Sequence, residues 1–114
     1  MKHQDLSELP SVYVAVDPGI CGFSCTVIAK RLEGRIVSVE ISGSECKNIQ
    51  KLSGLFDEMS LQDLFSPVSR NPAYVLAGQA GCHPSCLVPV AILKAAEVAM
   101  DMALPKGAEI RFQI

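Results

Sequence analysis

Between Ser11 and Ile41 apolar and polar residues alternate through three successive stretches, a period of two that belongs to extended chain with one buried face. Val12, Val14 and Val16 alternate with Ser11, Tyr13 and Ala15. Phe23, Cys25, Val27 and Ala29 then alternate with Ser24, Thr26, Ile28 and Lys30, and Val37, Val39 and Ile41 repeat the pattern in the stretch from Arg35 to Ile41. Asp17-Pro18-Gly19 and Leu32-Glu33-Gly34 supply the turn chemistry between them, because proline fixes one dihedral and glycine permits the next. The pattern predicts a three-stranded meander.

After Ile41 the period changes. Ile49, Leu52, Phe56 and Met59 recur at three- and four-residue steps, which predicts a helix with one apolar face, Ser44 as its N-cap and Cys46 in its first turn. Ser60-Leu61-Gln62-Asp63 has the spacing of a capping box and opens a short helix that Pro67 stops. Asn71-Pro72 is a cap followed by proline at the first helical position, and Gly81 suits the end of the helix it opens. From Val88 to Ala103 an alanine-rich stretch reads as the most buried helix, ended by Leu104-Pro105. In the closing AEIRFQI, Ile110, Phe112 and Ile114 alternate with Glu109, Arg111 and Gln113, which predicts a last strand.

The expected fold class is therefore α+β: a mostly antiparallel sheet, the three-stranded meander plus a C-terminal strand, with helices packed on one face. At 114 residues, 49% hydrophobic and 19% charged, the chain fits one domain over 1–114, with 1–10 as a flexible N-terminal segment. The net charge of -2 offers no basic excess for nucleic acid or an anionic membrane. No stretch has the length of a membrane span, and the opening MKHQDLSELP lacks the apolar core of a signal peptide, so a cytoplasmic location is expected.

The chemistry lies in the cysteines. There are five, an odd number that cannot close fully into internal disulfides, and a reducing compartment keeps such thiols free. Cys21 falls in a loop after a strand, Cys46 near the start of a helix, and Cys82, His83 and Cys86 just before another helix. Thiolate is the ligand form of cysteine, and a helix N-terminus lowers thiol pKa, so these are good positions for metal ligands. Cys82 and Cys86 flank a proline that bends the segment, so that both sulfurs and the His83 imidazole can face one point. Zinc or an iron-sulfur cluster accepts such a set. Both pairs are CxxxC, and along a strand residues four apart sit roughly 13 Å from one another, so Cys21 and Cys25 share a metal only if the strand begins after Cys25. Cys25, in an apolar row, reads as core. For Cys46, between Glu45 and Lys47, core and ligand remain equally open.

This order of elements resembles the NifU N-terminal or IscU-like iron-sulfur cluster scaffolds over roughly residues 19 to 100. Cys21-Gly22 matches the family's first Cys-Gly, Cys46 its second cysteine, and His83 with Cys82 or Cys86 its His-Cys pair. The resemblance implies a two-iron, two-sulfur cluster or zinc, held and passed on with a cysteine desulfurase and a chaperone, and hence iron-sulfur assembly or acceptor proteins as partners. Phe23 stands where that family carries aspartate, and Cys82 precedes His83 where the family has His before Cys. The chain also looks like a small prokaryotic group of undetermined function sharing GICGF and HPSCLVPVAILKAAE.

Three functional readings follow. A metal- or cluster-binding domain uses Cys21, Cys46, Cys82 and Cys86, with His83 as an alternative ligand. A thiol redox or sulfur-relay protein uses Cys82 and Cys86 and requires one exposed, low-pKa thiol. A non-catalytic interaction domain, a homo-oligomer, uses its cysteines for packing and presents an apolar surface patch. No Ser-His-Asp order, paired catalytic carboxylates or phosphate-cradling glycine loop is visible, so no catalytic residue is assigned and binding is expected ahead of catalysis.

Overall fold

A computed structural model describes residues 10–114; the expected flexible segment 1–10 lies, apart from Pro10, outside the described residues. Strands β1 (Val12–Val16), β2 (Cys25–Leu32), β3 (Ile36–Ser42) and β4 (Glu58–Ser60) form one antiparallel sheet in the order β1-β2-β3-β4. Helices α1 (Lys47–Leu55), α2 (Leu61–Leu64), α3 (Pro72–Gln79) and α4 (Val88–Ala99) complete the α+β fold.

The alternation selects the buried face. Val16, Cys25, Val27, Ala29, Val37, Val39, Ile41 and Met59 are buried together, while Tyr13, Ala15, Glu40 and Ser42 are exposed on the other side. Val14 lies opposite Val27, and Val27 opposite Ile41, so apolar residues meet across strands on one face. Helix α4 packs over β2, β1 and β3, and α1 packs against β3. Ile92, Ala95 and Ala96 of α4 are fully buried, and the alanines let the helix lie close to the sheet.

The caps follow the sequence closely. The Ser60 hydroxyl accepts from the Asp63 amide at 3.1 Å and the Asp63 carboxylate accepts from the Ser60 amide at 2.9 Å, closing the capping box of α2. The Asn71 side chain accepts from the Ala73 amide at 3.0 Å and caps α3. The Arg35 carbonyl accepts from the Leu61 amide at 3.0 Å, tying the hairpin tip to α2.

Three expectations need correction. Met59 belongs not to the helical face but to β4, where it pairs with Val37. Its burial satisfies either reading, and the helix ends at Leu55 before the chain pairs again with β3. Helix α4 ends at Ala99, not Ala103: Asp101 takes a left-handed φ of 59° and the Met102 amide donates to the Glu97 carbonyl, a Schellman closure without glycine. The expected C-terminal strand is absent, and the fourth strand of the sheet is β4. Every residue from 101 to 114 is exposed, because the edge beside β3 is taken by β4 and the closing segment is not paired to β1.

Candidate functional site

One end of the molecule gathers sulfur from three separate parts of the chain. Cys25 is the first residue of β2, opposite Val16, and its side chain turns into the core at 6% exposure. Cys46 is the N-cap residue of α1, in extended conformation, and its carbonyl accepts the first helical bond from Gln50. The expected cap, Ser44, lies two residues earlier; its hydroxyl accepts from the Cys46 amide at 3.1 Å and so holds the thiol-bearing residue in place.

Cys82 and Cys86 bracket the loop between α3 and α4. The Cys82 amide donates to the Ala77 carbonyl and the Gly81 amide to the Gly78 carbonyl, with Gly81 at a φ of 81°. That is the glycine-ended closure the sequence suggests, and it turns Cys82 off the end of α3. The Cys86 amide then donates to the His83 carbonyl at 3.0 Å, a turn around Pro84. A methyl group on Gly81 would stand 3.5 Å from the Asn48 side-chain oxygen, so this loop lies on the first turn of α1. Cys46, Cys82 and Cys86 all pack, half-buried, on the core cluster that contains Cys25.

The thiols act on one another. Burial pushes the Cys82 thiol up to about 11, with the nearby Cys86 and Cys46 sulfurs and a hydrogen bond to Cys86 adding to the rise. Burial, then Cys86 and Cys46, raises Cys25 as well. Several thiolates cannot share this desolvated patch unaided, so both groups hold their protons at neutral pH. A cation at their centre inverts that balance, since its charge favours every thiolate around it. Helix α1 begins directly after Cys46 and α4 two residues after Cys86, so the partial positive charge of each helix N-terminus lies near one of these thiols.

The remaining candidates lie outward. Cys21 is exposed in a short 3-10 turn, Gly19–Cys21, where the Asp17 carboxylate accepts from the Gly19 amide at 3.1 Å. His83 is exposed on the loop between the two half-buried cysteines. A groove of about 570 Å3 at this end of the sheet is lined by Asp17, Ser24, Cys25, Thr26 and Ser42; Thr26 and Ser42 belong to the open face, opposite the one into which the Cys25 side chain turns. The grouping is one of neighbours and not of a closed ligand shell: among the described residues, no group of three or more His, Cys, Asp or Glu is arranged to hold a metal ion.

Of the residues singled out in the sequence, Cys46, Cys82 and Cys86 are brought together, while Cys21 and His83 stand on the exposed rim. Cys25, read as core, is core and also faces this group. Gly22 caps the preceding turn at a φ of 72°, and β2 begins three residues later with Cys25 as its first residue. A strand's first residue sits at the rim of the sheet, where loops and helix ends meet.

A family model described as a family of unknown function (DUF6951) matches residues 12–112. The chain belongs to that family. The match runs from β1 into the closing segment and takes in all five cysteines, in keeping with the resemblance to a group of undetermined function. No curated protein and no solved structure matches the chain. Among the described residues no helix is long and apolar enough to cross a membrane.

Proposed function

We propose that this member of DUF6951 binds a thiolate-ligated metal centre, zinc or an iron-sulfur cluster, through Cys46, Cys82 and Cys86, with Cys25 completing the set. The observation that carries the reading is convergence: cysteines from β2, the α1 N-cap and the α3–α4 loop share one edge of the core. Such a donor set suits zinc or iron, and the turn around Pro84 keeps Cys82 and Cys86 on the same side of the core as Cys46. Cys21 and His83, on the solvent side, are the ligands that an exchanging or transferable cluster would use, as the likeness to cluster scaffolds suggests. A reducing compartment keeps the set available.

The test is metal and acid-labile sulfide content, with a visible spectrum, on protein purified without oxygen. Stoichiometric zinc, or iron with sulfide, is expected in the native chain and is lost in Cys46→Ser and Cys86→Ser. Cys21→Ser and His83→Ala are expected to retain metal but release it faster to a chelator. A native protein that carries no metal and whose melting temperature ignores added zinc or ferrous iron with sulfide overturns the reading.

A second reading has one observation of its own. Cys82 and Cys86 stand close enough to act on each other's titration, and a disulfide between them would form on loss of two protons and two electrons to an oxidant such as glutathione disulfide. The raised Cys82 thiol makes it a poor nucleophile at neutral pH, so this reading ranks second. It requires a protein that loses two hydrogens in mass on oxidation and binds no metal when reduced.

A further inference from the structure

The strongest unexplained feature lies at the other end of α4. From Asp101 onward every residue is exposed, and within this segment Ile110, Phe112 and Ile114 alternate with Glu109, Arg111 and Gln113. Phe112 is 90% exposed. Two of the polar members, Arg111 and Glu109, form an ion pair with each other. In this irregular form the segment leaves three large apolar side chains in water and the backbone of 109–114 without a partner among the described residues, which neither hydrophobicity nor backbone hydrogen bonding favours.

The sheet offers the complement. Among the described residues strand β1 is an edge, paired only to β2, and its sequence VYVAV contains none of the charges, prolines or bulges that protect edges from further pairing. Its helix-side residues Val12 and Val14 are only half-buried, whereas Val27 and Ala29 beside them on β2 are fully buried. The cover over the sheet is thus incomplete at this edge. A fifth strand with apolar residues at alternate positions would extend it, and the five residues from Ile110 to Ile114 equal β1 in length.

We infer that the segment from Glu109 to Ile114 is a strand for the β1 edge of a second copy of this chain, the two copies exchanging segments about a two-fold axis. Ile110, Phe112 and Ile114 then lie on the helix side, beside Val12 and Val14, and Glu109, Arg111 and Gln113 on the open side, beside Tyr13 and Ala15. Thirteen residues separate Asp101 from Ile114, a reach of roughly 43–47 Å when extended, enough to cross to a neighbouring copy. The occupant is a second copy because the strand pattern that fits this edge belongs to the chain itself, while the chain's own closing segment is exposed and not paired to its own β1. Exchange of an identical element is a low-cost route to a two-fold dimer.

The experiment compares the full chain with Phe112→Asp and Arg111→Pro by sedimentation at several concentrations, and follows amide hydrogen exchange in each. The native chain is expected to sediment as a dimer, twice the 12.2 kDa of one chain, and both variants as monomers that keep the helical far-ultraviolet dichroism of the native chain. Amides of Arg111, Phe112 and Gln113 and those on the outer edge of β1 are expected to be protected at least tenfold more in the native chain than in Phe112→Asp. A native monomer overturns the inference. So does a dimer that survives both substitutions, or one whose segment amides exchange freely. None of these readouts depends on metal, so the outcome is independent of the cysteine site.

Discussion

Asn71 is the one buried polar side chain of the described core, at 2% exposure, and replacing it tests how α3 is held where it must deliver Cys82. Its oxygen accepts from the Ala73 amide at 3.0 Å, and its nitrogen donates to the Asp63 carbonyl at 3.0 Å and the Ser66 carbonyl at 3.2 Å. Asn71→Ala removes the cap, worth about 1 kcal/mol. It also leaves the partly buried Ser66 carbonyl without a donor, at ~1 kcal/mol on the low side of the usual range, whereas the Asp63 carbonyl keeps the Ser66 amide as a donor. The sum is about 2 kcal/mol, a large share of the stability of a domain this size. Asn71→Ser keeps an acceptor for the cap and loses both donated bonds, so about 1 kcal/mol of that loss should return. Urea unfolding reads the difference directly: with a slope near ~1.5 kcal/mol/M, the alanine midpoint falls by about 1.3 M and the serine midpoint by less. Equal midpoints for the two variants would refute the division between cap and donated bonds, and a shift under ~0.5 M for alanine would refute the role of the Ser66 carbonyl.

Stability should also fall at alkaline pH, because the folded Cys82 thiol is held up at about 11 from an ordinary 9.0. A raised thiol stabilises the fold fully below the unfolded value and ceases to do so as pH climbs through the folded one, so the loss falls between pH 9 and 11. Solvent access reduces the full shift to about 1 kcal/mol, and Cys82→Ala should flatten the pH dependence of the melting temperature in that window. Arg35 sits at a φ of 59° beside Gly34 in the β2–β3 turn, so Arg35→Gly is expected to raise stability by about 0.5–1 kcal/mol, measured by chemical unfolding. Gly81→Ala forces an alanine to a φ of 81° against Asn48 and should cost about 1–2 kcal/mol, with a weakened metal site if the loop shifts; Gly107→Ala, in open space, should leave stability unchanged.

The strands were legible because their alternation reports burial directly, and Val12–Val16, Cys25–Leu32 and Ile36–Ser42 fall within two residues of the stretches read from the pattern. Caps were legible for the same local reason: Ser60 with Asp63 and Asn71 before Pro72 act within a single turn. Met59 and the closing AEIRFQI were not, since their patterns say that a side is apolar but not what it meets. Met59 found β3, and the closing segment found nothing in its own chain. The site was half legible. Helix-end positions pointed to Cys46, Cys82 and Cys86, but the place of Cys25 depended on where its strand begins relative to two helix ends, a tertiary fact that one-dimensional spacing does not contain.

Helix α4 is also a spacer. Its twelve residues span about 18 Å, with Cys86 just ahead of one end and Asp101, held to Arg31 at 3.4 Å, just past the other. Whatever loads the sulfur end therefore works a full helix length from whatever grips the free segment. A surface that recruits this protein through its tail would leave the thiols facing outward and open to traffic, and a lesion at either end should spare the business of the other.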